Sequence, residues 1–472
     1  MELEVMKKLI KKYESGHSEF VGKARQAERY YQNETDILFK PQDRDNTEKD
    51  MENPLRNADN RIPRNFHGLI VNQKASYMFT APPLFDVGNR SSNEIITEML
   101  GDEYRKNCME LCINAANTSI GWLHYWVGDD GFNYAVVDSK QIIPIESKDL
   151  KKKLLGVLRV YEELDEETGD TYTVYEYWDD KSCWSFRRKT RDNVEEGLLY
   201  YNTFTIPETE DQIAEYCHGL GEVPFIPFRN NNMHTNDLKN IKPLIDVYDK
   251  VYSGFINDLD DIQQLIFVLS GYGGTDLNSF LTDLKKYKTI RIDDDDNSNS
   301  GVSTLNIEIP IEARNSVLEA TRKAIFEQGQ GFDPQPENFG NQSGEALKFM
   351  YALLEMKAGM TETEFQLGFA RLVRAICHYA GIECKRIVQT WTRTGIKNDT
   401  EQAQICRDSV GIVSRKTILK NHPLVEDADE ELKQLEKEEQ EAQEKADLYK
   451  GSFEKTKQEE GADVKTGTAI QI

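Results

Sequence analysis

Several things are missing from this chain of 472 residues. No apolar run approaches the roughly 20 residues needed to cross a bilayer, and the densest, Leu265 to Leu269, is far shorter. The opening MELEVMKKLIKKYESGH is charged and amphipathic, without the apolar centre and small-residue cleavage site of a secretion signal. Cysteine is scarce and odd in number, at Cys108, Cys112, Cys183, Cys217, Cys377, Cys384 and Cys406, with no framework spacing. That pattern suits reduced thiols in a cytosol, not a disulfide scaffold. A phosphate-binding Gly-x-x-x-x-Gly-Lys-Ser/Thr loop does not occur, and the nearest cluster, Gly271-Tyr272-Gly273-Gly274-Thr275, lacks the lysine and reads as a helix stop. Neither a Ser-His-Asp context nor His-Glu-x-x-His is present, and no repeat recurs at solenoid periods. Basic residues are outnumbered, 58 against 82 acidic, for a net charge of −24. Proteins that wrap nucleic acid do so with clustered Lys and Arg. This charge suits a surface that DNA passes, not one that holds it.

What is present divides along the chain. Hydrophobic residues make up 38% and charged residues 30%, enough for several cores under a solvated surface and for two to four domains at roughly 150 residues each. Residues up to about 120 read as helical. One helix places Phe66, Leu69, Ile70, Gln73 and Tyr77 on a face before Pro82-Pro83, and a second runs from Ser92 to Thr118. From Trp122 to Ile206, short β-branched and aromatic segments alternate with turn signals such as Gly128-Asp129-Asp130-Gly131 and Glu167-Thr168-Gly169-Asp170. No helices alternate with them, so the class is α+β with an antiparallel region and not a Rossmann fold. The stretch Leu238 to Leu269 then carries Leu244, Tyr248, Val251, Phe255, Leu259, Ile262, Ile266 and Leu269 at helical spacing. It predicts one rod of about 48 Å at 1.5 Å per residue, with Asp246, Asp249, Asp258, Asp260 and Asp261 on its other side. A polar module from Tyr272 to Ile309 follows, with a helix at Leu277 to Leu284 and strands at Lys288 to Ile292 and Val302 to Ile309. A helix from Ile311 to Glu327 opens after Pro310, and a loop from Gly329 to Ser343 leads to a long helical region, Gly344 to Ala380. Gly359 before Thr361-Glu362-Thr363-Glu364 points to a kink or a restart there. A strand from Arg386 to Thr392, further helices and an acidic tail complete the chain.

Candidate chemistry is thin. Asp293, Asp294, Asp295 and Asp296 run straight into Asn297-Ser298-Asn299-Ser300. Nuclease metal sites gather carboxylates from separate elements of a rigid core, so this run reads as an exposed loop. Asp258 and Asp261 share a helix face without a third ligand. Cys108 and Cys112 fall inside an apolar stripe and read as buried core. Cys377, His378 and Cys384 surround a helix end with no fourth partner nearby. No catalytic, cofactor-binding or metal-binding residue is assigned.

Three stretches, in order, carry a resemblance. They are Asn60-Arg61-Ile62-Pro63-Arg64-Asn65-Phe66 continuing through Val71 to Phe79 and Pro82-Pro83; Val223-Pro224-Phe225-Ile226-Pro227-Phe228 with Asn230-Asn231-Asn232, Asp237-Leu238 and Leu244-Ile245-Asp246; and Phe339-Gly340-Asn341-Gln342-Ser343-Gly344-Glu345-Ala346-Leu347-Lys348. Together they resemble the portal proteins of tailed bacteriophages, of the type found in siphophages of Gram-positive hosts, over roughly residues 20 to 420. The resemblance implies a non-enzymatic virion protein at the portal vertex of the capsid, present in the host cytoplasm during assembly. It implies a homo-oligomeric ring, a dodecamer, through which double-stranded DNA enters and leaves without sequence recognition. The partners so implied are the terminase large subunit, major capsid and scaffolding proteins, and head-completion or neck proteins; no membrane or cofactor is implied.

The family's architecture gives residues 1–236 as N-terminal helices and wing, 237–271 as a stem helix and 272–310 as the clip. It gives 311–328 as a second stem helix, 329–343 as the tunnel loop, 344–395 as a kinked wing helix with its return strand, 396–450 as the crown and 451–472 as a flexible acidic tail. Asp333, Gln335, Glu337, Asn338, Asn341 and Gln342 would face DNA, Asp293 to Asp296 would meet terminase and neck proteins, and Leu244, Tyr248, Val251, Phe255, Leu259 and Ile262 would pack the stem. A head or tail connector that conducts no DNA is the alternative, and a metal-dependent nuclease a weaker one.

Overall fold

The computed structural model describes residues 1–39, 58–129, 131–205, 211–262, 266–270, 301–305, 310–334, 344–393, 399–425 and 427–443. The chain divides into two compact units. The first comprises residues 1–338 with 351–394, the second residues 339–350 with 395–472.

The first unit begins with helix α1 (Leu3–Tyr31), whose two halves serve different cores. Met6 and Ile10 lie against a sheet, whereas Ala27 and Tyr30 join a cluster of helices. Helix α2 (Phe66–Phe79) starts where the Asn65 carboxamide oxygen accepts from the Gly68 amide at 2.9 Å. Strand β1 (Leu84–Asp86) follows, then α3 (Arg90–Leu100) and α4 (Tyr104–Thr118). The single helix expected from Ser92 to Thr118 is therefore two. Gly101, at φ +66°, takes the left-handed turn that ends α3. In α2, Leu69 is exposed, although the sequence pattern put it on the apolar face, and Lys74 is fully buried.

The β region forms as expected. Strands β2 (Ile120–Gly128), β3 (Gly131–Val137) and β12 (Phe225–Arg229) make a three-stranded sheet in the order β12-β2-β3. Strands β4 (Ile142–Glu146), β5 (Leu154–Leu164), β6 (Thr171–Trp178), β7 (Ser182–Lys189) and β11 (Glu215–Cys217) make an antiparallel sheet in the order β11-β7-β6-β5-β4. A short helix α5 (Val194–Gly197) and strand β8 (Leu199–Tyr200) cover its edge at β7, and β9 (Phe204–Thr205) pairs with β10 (Gln212–Ile213). The larger sheet is covered on both faces. Leu158, Tyr175 and Phe186 pack under α1, while Val157, Trp178 and Cys183 meet Trp122 and Phe225 of the smaller sheet. Alternate residues go to opposite faces, so a doubly covered strand reads as near-continuous apolar sequence.

Helix α6 (Lys242–Ile262) is shorter than the expected rod: Ile266–Ser270 is strand β13, paired antiparallel with β14 (Gly301–Leu305). The β-branched and aromatic run Ile266-Phe267-Val268 favours a strand once the helix has ended. The expected helix at Leu277 to Leu284, the strand at Lys288 to Ile292 and the run Asp293 to Asp296 lie outside the described residues. Helix α7 (Ile311–Gly329) returns alongside α6. Helix α8 (Gly344–Tyr379) is continuous, and the restart expected at Gly359 does not occur. The Thr361 hydroxyl donates to the Lys357 carbonyl one turn back (3.2 Å) and to the Asn230 carbonyl (3.0 Å), which satisfies it inside the helix. Strand β15 (Val388–Thr390) closes this unit by pairing with β1. In the second unit, α9 (Asp399–Asp408) and α10 (Arg415–Asn421) precede a helix over residues 428–443.

The largest core lies where α2, α3, α4, β2, β12 and α8 meet. Phe369, 1% exposed, sits at its centre with the rings of Phe79, Phe85, Tyr104, Phe228, Phe365 and Trp391 within 6.4 Å. Gly368 admits this packing, because a Cβ there would stand 2.5 Å from the Phe228 ring.

Candidate functional site

Among the described residues, chemistry that departs from ordinary packing concentrates at the α6–α7 hairpin and the loop it feeds. The hairpin is antiparallel. The Asp258 carboxylate of α6 is ion-paired with Arg314 near the start of α7, whereas Ile241, just before α6, lies against Gly329 at the end of α7. At that root Ile241 and Ile245 pack with Ile325, Phe326, Phe66 and Ile70.

The residues expected to pack a stem are partly covered within one protomer. Leu244, Tyr248, Val251 and Phe255 are half-buried and Leu259 is 40% exposed, while the side chain of Ile262 lies outside the described residues. Within the protomer, the fully buried positions of α6 among the described residues are Ile245, Asp249 and Ser253. The aspartates set on the other side of α6 divide: Asp260 is exposed and Asp246 and Asp258 are half-buried, whereas Asp249 is fully buried. Asp249 accepts from the Thr35 hydroxyl at 2.6 Å and from the Arg64 amide at 3.0 Å. Asp246 accepts from the Tyr30 hydroxyl and from Lys242, whose ammonium also reaches Asp36 at 2.6 Å. Asp260 accepts from the Asn60 carboxamide at 2.6 Å. These carboxylates tie α6 to the end of α1 and the segment before α2; a spacing rule sees only their polarity. Burial pushes the Asp249 carboxyl up to about 6, and the neighbouring charge on Asp246 adds to the shift.

A second polar knot lies under the hairpin root. Asp237 accepts from Lys74 at 2.7 Å, lies 3.0 Å from the Lys357 ammonium, and accepts from the Asn230 carboxamide at 2.8 Å. Lys74 also donates to the Asn230 carboxamide oxygen at 2.6 Å, and Lys357 to the Gly329 carbonyl at 2.8 Å. Burial alone would raise the Asp237 carboxyl, yet the ammonium groups of Lys357 and Lys74 hold it well below the usual carboxylate range. Burial lowers Lys357 and pushes His67, bonded to Asn117 at 2.9 Å, down to about 4. The knot joins α2, the turn after β12, the end of α7 and the middle of α8. Sequence reasoning missed it, although Lys74, Asn230 and Asp237 all stand inside the quoted stretches.

The chain leaving α7 is clamped. Gln330 adopts φ +53°, and a Cβ at Gly331 would lie 2.9 Å from Ile70, so α7 ends pressed against α2. The Gln73 carboxamide donates to the Phe332 carbonyl at 2.6 Å and accepts from its amide at 2.9 Å. The Phe332 ring stacks on Tyr351 at 4.8 Å, 7° from parallel. Asp333, expected to face DNA, is gripped by two guanidinium nitrogens of Arg322 at 2.9 and 2.6 Å. Gln335, Glu337, Asn338, Asn341 and Gln342 lie outside the described residues.

The other candidates of the sequence are settled by packing. Cys108, Cys112 and Cys377 are buried free thiols, and burial pushes the Cys377 thiol up to about 11 beside Cys384. Among the described residues, no group of three or more His, Cys, Asp or Glu is arranged to hold a metal ion, and no helix is long and apolar enough to cross a membrane.

Comparison with known proteins gives a consistent result. Residues 10–445 match the family described as phage portal protein, SPP1 Gp6-like. A portal protein of Clostridium phage phiCD119 is 42% identical over 451 residues, covering 91% of this chain and 94% of that protein. A portal protein of Bacillus phage SPP1 is 30% identical over 395 residues, covering 81% and 76%. Among solved structures, a chain from the neck of an empty gene transfer agent particle aligns with 81% of this chain and 94% of its own length, at 11% identity and a TM-score of 0.41. That likeness is too distant to bear on function.

Proposed function

This chain belongs to the SPP1 Gp6-like phage portal protein family, and from that premise we propose how it is built to act. Twelve copies close into a ring at one capsid vertex, and double-stranded DNA passes through the hole during packaging and ejection. The α6–α7 hairpin is the stem, and the β-rich part of the first unit with α8 is the wing. The segment between α6 and α7, with Asp293 to Asp296, is the clip that meets the terminase large subunit and then the neck proteins. The loop after Asp333 lines the channel, with Gln335, Glu337, Asn338, Asn341 and Gln342 toward the DNA. Residues 396–450 form the crown, and capsid and scaffolding proteins contact the outside of the ring. The protein is a virion component that passes through the host cytoplasm while heads assemble. DNA is touched without sequence recognition, which matches a chain whose acidic residues outnumber its basic ones, 82 to 58.

One observation carries the ring: the apolar stripe of α6 is left half-covered by its own chain. Leu259, and on α7 Ile311 and Val317, are 40%, 51% and 45% exposed. Burying such area stabilises by roughly 25 cal/mol per Å², and identical neighbours joined head to tail supply the cover when the rotation closes. The Arg322–Asp333 pair and the Gln73–Phe332 clasp support the channel-loop reading, since they fix both the exit point and direction of that loop.

Native mass spectrometry of the full chain tests the proposal. The expected result is a closed species of about twelve subunits, seen as rings by negative-stain imaging. A folded monomer that never forms annular particles, even when expressed with its capsid proteins, would overturn it. A solid assembly without a central hole would favour a connector that conducts no DNA.

A further inference from the structure

Two features of the first unit fit one another but not themselves. The tip between β5 and β6 reads Glu162-Glu163-Leu164-Asp165-Glu166-Glu167-Thr168-Gly169-Asp170, with no base in it. It is braced: the Asp165 carboxylate accepts from the amides of Glu167 and Thr168, both at 3.1 Å, and the Asp165 amide donates to the Asp170 carbonyl at 3.0 Å. Asp170 is paired with Lys189, and Glu163 accepts from Tyr201. Glu162, Glu166 and Glu167 are left exposed around Leu164, itself 62% exposed.

The complement is a cleft of roughly 740 Å³ between α1, β4, β12 and α8. Tyr13, Phe20, Trp122, Pro144, Pro227 and Leu367 wall it, and Leu367 is 63% exposed. Its lining carries Lys151, Lys152, Arg229 and Arg371 against only two carboxylates, Glu146 and Glu364. One of those, Glu146, is bonded to Arg229 at 2.9 Å. In a chain of net charge −24, this is a cationic mouth over an apolar floor. His234 at its edge is pushed below its ordinary value by burial and then by Arg229 and Lys152.

We propose that the acidic β5–β6 tip of one protomer seats in this cleft of the next, Leu164 against Leu367 and the exposed glutamates against Lys151, Lys152 and Arg371. Tip and cleft occupy opposite ends of one strand. Leu154 lines the cleft and Leu164 stands ten residues further along β5, about 33 Å at 3.3 Å per residue. A protomer cannot fill its own cleft, but each copy offers one knob and one hole, the condition for a heterologous contact that repeats around a ring. Opposite charges at such a contact also select its register. This contact rests on the ring proposed above.

Charge inversion tests it in the full chain. Glu166→Lys with Glu167→Lys inverts the tip, and Lys151→Glu with Lys152→Glu inverts the rim; all four side chains are exposed, so folding is not at stake. Each pair alone should raise the protomer concentration for half-assembly about tenfold, and the four changes together should restore it. Wild-type assembly by either inverted variant, or no recovery in the combined one, overturns the contact while the ring stands. A second measurement uses Leu164→Cys and Leu367→Cys as separate proteins, each also carrying Cys217→Ser to remove the exposed thiol. When the two are mixed in assembled rings, a short bismaleimide should join them into covalent dimers; their absence overturns the proposal. A wild-type chain that forms no rings is a different failure, seen before any variant is made, and removes ring and contact alike.

Discussion

The β-rich body around Phe369 and the α6–α7 hairpin solve the same problem in opposite ways. At the centre of the body, aromatic rings from α2, β1, α4, β12, α8 and the segment after β15 close around Phe369 and leave no place there for a neighbour. In the hairpin, the apolar stripe stays half-open while the fully buried positions include a carboxylate and a hydroxyl, Asp249 and Ser253. That centre is complete within a single chain. The hairpin is held at its root by hydrogen bonds of defined direction and keeps its greasy side for other copies. Apolar packing is strong but indifferent to register, whereas a knot such as Lys74–Asp237–Lys357 tolerates one arrangement only.

Substitutions should separate the two halves of that contrast. Phe369→Ala empties the centre of the body, and about 4 kcal/mol of stability should be lost, read as a lower midpoint in urea unfolding at fixed protomer concentration. A loss under 1 kcal/mol would mean the body is less closed than its ring contacts indicate. Asp237→Asn should cost about 3 kcal/mol, because it leaves the ammonium groups of Lys74 and Lys357 buried beside each other without a counter-charge. The sharper outcome is the rescue: adding Lys357→Met to Asp237→Asn should recover part of that loss, since the surplus charge is gone. No second substitution should similarly rescue Phe369→Ala. Equal rescue of both would erase the distinction between the regions.

The sequence was most informative where pattern and packing coincide. The six strands β2 to β7 and the helices from Ile311 and Gly344 follow from periodicity and turn residues, because each meets a partner that demands that periodicity. It was least informative along α6. A stripe at helical spacing ran on through Ile266 to Leu269, where the chain pairs instead with Gly301–Leu305, and strand pairing across more than thirty residues leaves no local trace. Which aspartate of α6 is buried could not be read, because polarity is legible while partners are not. Thr35, Tyr30 and Arg64 come from segments some two hundred residues away. Lys74 was illegible for the same reason: nothing near it in the chain announces Asp237.

The smallest expected effect tests the hairpin's polar root through its protons. Asp249 is buried between Thr35 and the Arg64 amide, and its carboxyl is pushed up to about 6 by burial, with Asp246 nearby. An acid whose folded value lies above its unfolded value of about 3.9 binds its proton more tightly when folded. Its contribution to stability is therefore fully present below about pH 4 and is lost as pH rises through 6. For this carboxyl the decline should be about 1 kcal/mol once solvent screening at the hairpin root is allowed for. Asn in its place keeps an oxygen for the Arg64 amide, offers an N–H to the Thr35 hydroxyl and carries no charge. Asp249→Asn should thus match the wild type near pH 4, exceed it by that amount at pH 7.5, and remove the slope between. Urea midpoints across that pH range decide it. Parallel pH profiles would make the charge of Asp249 indifferent to folding, whereas a wild type that gains on Asp249→Asn as pH rises would place that charge in a stabilising role, with the root of the hairpin held by ion pairing and not merely by hydrogen bonds of fixed direction.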